Sequence, residues 1–172
     1  GTEPVHPHPA ADAHAAGLGH TFSLRVLATL LFNAAEMKLS HNLHLSYSTN
    51  IHRGENWKQT FESLEQYTLA VRRQVCPDAP YAIGLRLSDQ ASRELSEPET
   101  LRGFQAWLER NGCYVFTING YPFGRFHGGR VMELVYVPDW TAVERVEYTN
   151  RLFDLLVQLV PEGVEGSVST VP

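Results

Sequence analysis

The sequence predicts an α/β fold: a partial (β/α)8 TIM barrel, about the first four strands and three helices, behind an amino-terminal extension. Three observations carry that expectation. After Met37, short apolar runs alternate with longer segments of 3.6-residue period. Each strand is followed by a helix, so the strands return to one end of the sheet and pair in parallel through right-handed crossovers. Finally, the chain has 172 residues, 43% apolar and 19% charged, a globular composition. Residues 37–172 supply half of the eight units of a barrel, which typically takes about 250 residues. A four-stranded doubly wound sheet is the alternative architecture. The first strand-to-helix turn, TNIHRGEN, lacks the G-x-G-x-x-G spacing by which such sheets approach a pyrophosphate.

The elements follow in order. Residues 41–50 read as the first strand, with Thr49 and Asn50 at its polar end. Trp57, Phe61, Leu64, Thr68, Val71 and Val75 then alternate in steps of four and three, giving one apolar helix face that ends before Pro77. Residues 81–88 are the second strand. Ser96 and Glu99 have the spacing of a capping box opening a second helix that buries Leu101, Phe104 and Leu108. Asn111 and Gly112 close it. Residues 113–120 form a β-branched and aromatic third strand. The segment from Tyr121 to Trp140 is longer than a connector needs. Thr141 and Glu144 make another capping box, opening a helix that carries Val143, Val146, Leu152, Leu155, Leu156 and Leu159 and ends at Pro161. Residues 165–172 read as the fourth strand.

Residues 1–36 differ in composition, holding His6, His8, His14 and His20, half of the eight histidines, among Pro, Ala and Gly. Their spacing matches no compact metal site, so a flexible extension is expected, with one short helix over residues 24–35 packing on the following domain. The apolar run at 23–32 is ten residues, against the roughly 20 needed to span a bilayer, so no membrane span is expected. A net charge of -5 offers no footprint for nucleic acid. Cys76 and Cys113 are too few for a disulfide framework, and reduced thiols in a cytoplasmic protein are the expectation.

In parallel α/β folds ligands bind beyond the carboxyl ends of the strands, which selects the candidate residues. His52 is suited to general acid/base work, because an imidazole with an ordinary pKa of about 6.5 is easily tuned; otherwise it caps the following helix. Glu55 is a base or ligand candidate, but also suits the first turn of a helix. Arg86 interrupts an apolar strand, and a buried guanidinium there needs either an anionic ligand or a structural partner. Asn50 and Asn119 are placed to orient substrate hydroxyls, or in the case of Asn119 to form a turn before Gly120. The loop YPFGRFHGG offers Arg125 for anions and His127 as a second acid/base or ligand, without any Walker spacing. No Ser-His-Asp or Cys-His motif indicates nucleophilic catalysis.

The segments HLSYSTNIHRGENW, IGLRLS, YVFTINGYPFGRFHG with RVMELVYVPDW, and EGVEGSVSTVP resemble the amino-terminal part of the metabolite traffic protein EboE family. The resemblance covers residues 37–172; TNIHRGE and TINGYPFGRFHG carry it in combination. It implies a sugar phosphate isomerase/epimerase or xylose isomerase-like barrel, encoded in a bacterial gene cluster linked to the movement of secondary metabolites or their precursors. Family members are much longer, and later strand ends, which commonly supply metal-binding Glu, Asp and His in related barrels, lie beyond this chain.

Two functions are therefore expected. The first is part of a sugar-isomerase-like barrel binding a small polar metabolite, with a divalent metal in the full-length protein as an open possibility; His52 and His127 would move protons, and Asn50, Arg86, Asn119 and Arg125 would hold the ligand. The second is a non-catalytic carrier or scaffold passing a metabolite to protein partners of an export system. An exposed sheet edge left by half a barrel adds a tendency to self-associate.

Overall fold

The computed structural model describes residues 37–124 and 135–171. It is a mixed α/β fold with a four-stranded parallel sheet in the order β1-β2-β3-β4. The strands are β1 (Tyr47–Ser48), β2 (Tyr81–Arg86), β3 (Cys113–Asn119) and β4 (Ser167–Ser169). Strand order thus follows chain order, without the reversal that creates a switch point in doubly wound sheets. Helix α1 runs through Trp57–Ser63, a π-helical turn Leu64–Thr68 and Leu69–Val75. Then come α2 (Asp89–Leu95) and α3 (Pro98–Arg110) between β2 and β3, and α4 (Val143–Leu159) before β4. None of the described helices is long and apolar enough to cross a membrane.

The first strand is much shorter than the 41–50 run suggests. Lys38 and His44 form an antiparallel bridge around a 3-10 turn, and a second 3-10 turn (Thr49–Ile51) ends β1. The buried Thr49 side chain replaces the ladder there: its Oγ1 accepts from Arg86 N at 2.8 Å and donates to Gly84 O at 3.4 Å. At the other edge, only Ser167–Ser169 of residues 165–172 is strand, paired to Thr117, Ile118 and Asn119.

In α1 the apolar stripe holds for Trp57, Phe61 and Leu64, then slips. A π turn adds a residue to its turn, which advances the phase of everything after it by about 100°. Leu69 and Cys76 consequently face the core, while Val75 is exposed. Asn56 caps the helix, accepting from Gln59 N at 2.9 Å, and Glu94 of α2 accepts from Trp57 N at 2.7 Å.

One helix was expected between the second and third strands, and the structure has two. Ser88 opens α2 by accepting from Ala91 N at 3.0 Å. Its presence undoes the Ser96–Glu99 capping box: Ser96 Oγ donates to Ser92 O at 2.8 Å in the last turn of α2, and Glu97 precedes α3 without a side-chain cap. Pro98 at the first turn of α3 has no N–H to satisfy. The Thr141–Glu144 box also fails to form, because Asp139 is the better acceptor; its Oδ1 takes both Thr141 N at 2.9 Å and Thr141 Oγ1 at 2.6 Å. These bonds hold the Asp139 carboxyl below its ordinary pKa. Gly112 closes α3 as expected, at a φ of 55° that favours glycine.

The core lies between the sheet and the helices, where Ile83, Leu85, Val115 and Ile118 meet Leu64, Phe104, Trp107 and the α4 stripe of Tyr148, Leu152, Leu155 and Leu159. Val143 and Val146, expected on that stripe, are exposed, since at 100° per residue Val143 lies about half a turn from Leu152. Both thiols are free and buried. Burial pushes the Cys113 thiol up to about 11, with the nearby Cys76 adding to the effect and Arg72 opposing it.

Gly120 marks the tightest approach of β3 to α4: a Cβ there would lie 2.5 Å from Leu152 Cδ1 and 3.1 Å from the Ser169 carbonyl oxygen. Gly120→Ala is therefore expected to lower stability by about 1–3 kcal/mol in urea unfolding. Gly103→Ala, inside α3 with nothing within 4 Å of the new Cβ, should raise it by about 0.5–1 kcal/mol.

The Cys113 shift predicts a pH dependence. Its folded pKa lies above the ordinary 9.0, so the fold favours the protonated thiol. This contribution is whole below about pH 9 and is lost as pH rises through about 11. Cys113→Ala should flatten the alkaline fall in stability between those values, whereas the buried phenols of Tyr81 and Tyr148, also shifted upward, keep their share of it. Urea melts of both chains from pH 8 to 11 read the difference.

Candidate functional site at the carboxyl ends of the strands

Arg86 is the last residue of β2 and is 3% exposed. Taken out of water, its guanidinium binds two loop carbonyls, Gly54 O through Nη1 at 2.9 Å and Gly124 O through Nη2 at 2.7 Å. One side chain thereby ties the loop after β1 to the loop after β3. Burial lowers its pKa, opposed by the fields of Tyr148 and Glu55. Asn119 is its register partner on β3. The Asn119 side chain accepts from Tyr121 N at 2.9 Å, forming the turn that sequence analysis set beside a hydroxyl-binding role.

A second guanidinium, which sequence analysis passed over, sits beside these. Arg145 in the first turn of α4 is fully buried; Nη1 donates to Gly120 O at 3.0 Å and Nε to Pro138 O at 2.7 Å. Its Nη2 meets no acceptor among the described residues. The group lies 5.5 Å from the Phe123 ring centroid and 5.6 Å from that of Tyr148, within cation-π range. Tyr148, fully buried, donates its hydroxyl to Leu87 O, and burial pushes its phenol upward despite both guanidiniums. The signal was present in the chain: Arg145 stands three residues before Tyr148 and seven before Leu152, an arginine on the core-facing stripe.

The loops are joined further by Ser88, whose Oγ donates to Glu55 O at 2.6 Å, and by Asp89, whose N–H donates to Phe123 O at 2.9 Å. The Asp89 carboxylate accepts from Arg151 of α4 at 2.7 Å and from Arg93 at 3.0 Å. The former pair is mostly shielded from water.

His52 follows the 3-10 turn that ends β1. Its Nε2 lies 2.7 Å from the Tyr47 hydroxyl, and its ring stacks on Tyr67 at 4.5 Å and 10°. Tyr67 belongs to the π turn of α1, so this local departure from α geometry places the ring that holds the histidine. His52 and Arg86 border one cavity of about 10 Å3, with Thr49 and Thr60. That space suits one water molecule and nothing larger. Asn50 lies in the same turn, partly buried, and its Oδ1 has no partner among the described residues. Arg125 and His127 lie outside the described residues.

The arrangement brings Asn50, His52, Arg86 and Asn119 to one end of the sheet and adds Arg145 and Tyr148 beneath it. No three His, Cys, Asp or Glu side chains among the described residues converge as metal ligands, so no step is routed through a divalent ion here. No family model, no curated protein and no solved structure matches the chain.

Removing the Arg86 guanidinium should leave the Gly54 and Gly124 carbonyls unpaired in a buried setting. Arg86→Met is expected to lower the unfolding free energy by about 2–5 kcal/mol. Denaturant melts should show a lower midpoint at unchanged slope.

Proposed function

We propose that this chain is part of a sugar-isomerase-like (β/α)8 barrel of the metabolite traffic protein EboE family, and that it binds a small polar metabolite at the carboxyl ends of its strands. The observation that supports this best is the convergence of three strand-end loops on two buried guanidiniums, Arg86 and Arg145, at that end of the sheet. Strand order equal to chain order is the order a barrel needs. Binding constellations work when the groups that hold them are locked, and here the locking is done by charge-assisted hydrogen bonds to backbone.

On this reading Arg86 is a positioning residue, since both described hydrogen bonds of its guanidinium go to loop carbonyls. Asn50, with a buried and unmatched Oδ1, is the group that accepts from a ligand hydroxyl. Arg125 and His127 would face the same ligand from the loop after β3. His52, oriented by Tyr47 and Tyr67, is the proton-transfer group: taking a proton from the carbon beside a carbonyl and returning it to the neighbouring carbon converts an aldose into a ketose without any net change in atoms or electrons. A divalent ion, if the reaction uses one, takes its ligands from outside the described residues.

The test is thermal unfolding of the chain with C4–C6 polyols and sugar phosphates, with and without Mg2+ or Mn2+. A true ligand at 100 times its Kd should raise Tm by about 5–10 °C. Asn50→Ala should remove most of that rise. With the same ligand, His52→Ala should leave the shift in place and reduce interconversion of aldose and ketose by about 10²–10⁴-fold. A shift without conversion in the unaltered chain supports the carrier reading instead. If no polyol or sugar phosphate moves Tm, the proposed ligand class is wrong.

A further inference from the structure

We infer that the cavity at the amino ends of the strands is a docking site for this chain's own apolar run, residues 23–32. The inference concerns the end of the sheet opposite the metabolite site and stands independently of it. The cavity holds about 460 Å3, within the ordinary range for a bound ligand or a cluster of inserted side chains. It opens where β2 and β3 begin, and Met37, Leu108, Cys113, Tyr114 and Val164 form most of its apolar wall. His44 closes one side, its Nδ1 2.8 Å from the Tyr114 hydroxyl, and burial together with Lys38 lowers its pKa. An unpaired imidazolium on that wall would disfavour an apolar occupant; a neutral ring does not.

The occupant follows from where the chain enters. Met37 lies on the wall of the cavity, packed against the core, and its carbonyl accepts from Leu45 N at 2.7 Å. Lys38 is bridged to His44, so the point at which the preceding residues reach the fold is fixed beside the opening. The run SLRVLATLLF ends at Phe32, five residues before Met37. At about 3.3–3.6 Å per residue the connecting segment reaches less than about 20 Å, which keeps Leu27, Leu30 and Leu31 near the cavity at high effective concentration. Within the run only Arg25 is charged, and the cavity wall is equally poor in charge, with Lys38 and Glu109 as its charged residues. An apolar run tethered at the mouth of an apolar cavity is held there by the same burial that forms the core.

The full 172-residue chain is small enough for methyl nuclear Overhauser measurements, which decide the matter. Methyls of Leu27, Leu30 or Leu31 should show cross-peaks to Leu108, Val164 or the Tyr114 ring, and in a mixture of labelled and unlabelled chains these should be intramolecular. Cross-peaks found only between chains would assign the cavity to a second copy and overturn the proposal. Random-coil methyl shifts without cross-peaks would overturn it too. As a second reading, the double substitution Leu27→Glu with Leu30→Glu should raise binding of anilinonaphthalene sulfonate at least threefold. Val164→Trp, which fills the cavity from the other side, should speed amide exchange in residues 23–32 at least tenfold. Unchanged exchange in a folded Val164→Trp chain would mean that the run lies elsewhere.

Discussion

The guanidinium of Arg86 is the constraint on which this end of the molecule depends. A permanent charge at the close of a buried strand must be met by acceptors, and here the described ones are backbone carbonyls, Gly54 O and Gly124 O. Those carbonyls belong to segments that pack on different neighbours of β2. Satisfying one side chain therefore fixes the path of the loop after β1 and of the loop after β3 together. Arg145 repeats the device from the helix side, joining Gly120 and Pro138 to α4. Planar, forked donors suit this role, since each guanidinium can serve two loops at once.

The two ends of the sheet consequently differ in kind. At the carboxyl ends the chain spends buried polar groups, with Thr49, Arg86, Ser88, Arg145 and Tyr148 bonded mainly to backbone. At the amino ends it presents an apolar cavity next to the point where residues 1–36 join. Polar networks fix geometry, because a buried donor without a partner is expensive. Apolar cavities ask only for shape and proximity. A metabolite site at the first end and a docking site at the second each follow from that contrast.

Sequence and structure part company where one side chain had two suitors. Ser96 and Glu99 satisfy the capping-box spacing, but α2 reaches Ser96 first and draws its hydroxyl to Ser92 O. Thr141 has the right spacing to Glu144 and is taken instead by the charged acceptor two residues before it. In α1 the apolar period was read correctly up to Leu64, and a π turn then shifted the register. Spacing rules describe what a segment can do alone; neighbours supply the competing partner. His52 was legible as a strand-end histidine, whereas its orientation by Tyr47 and Tyr67 needed a strand and a helix to meet.

By itself the sequence determined the α/β class, the helices that carry α1, α3 and α4, the bodies of β2 and β3, and the close of α3 at Gly112, because periodicity and glycine conformation act over a few residues. It also singled out Arg86, since a charge inside an apolar strand is anomalous in any surroundings. Tertiary structure alone decided the short first and fourth strands, the extra helix α2, the structural engagement of Arg86 and the burial of Arg145. Those outcomes depend on partners 20 to 60 residues distant in the chain, such as Arg86 with Gly54 and Gly124, or Tyr148 with Leu87. Hydrogen bonds to such partners are chosen by proximity in space, and proximity in space is what the sheet creates.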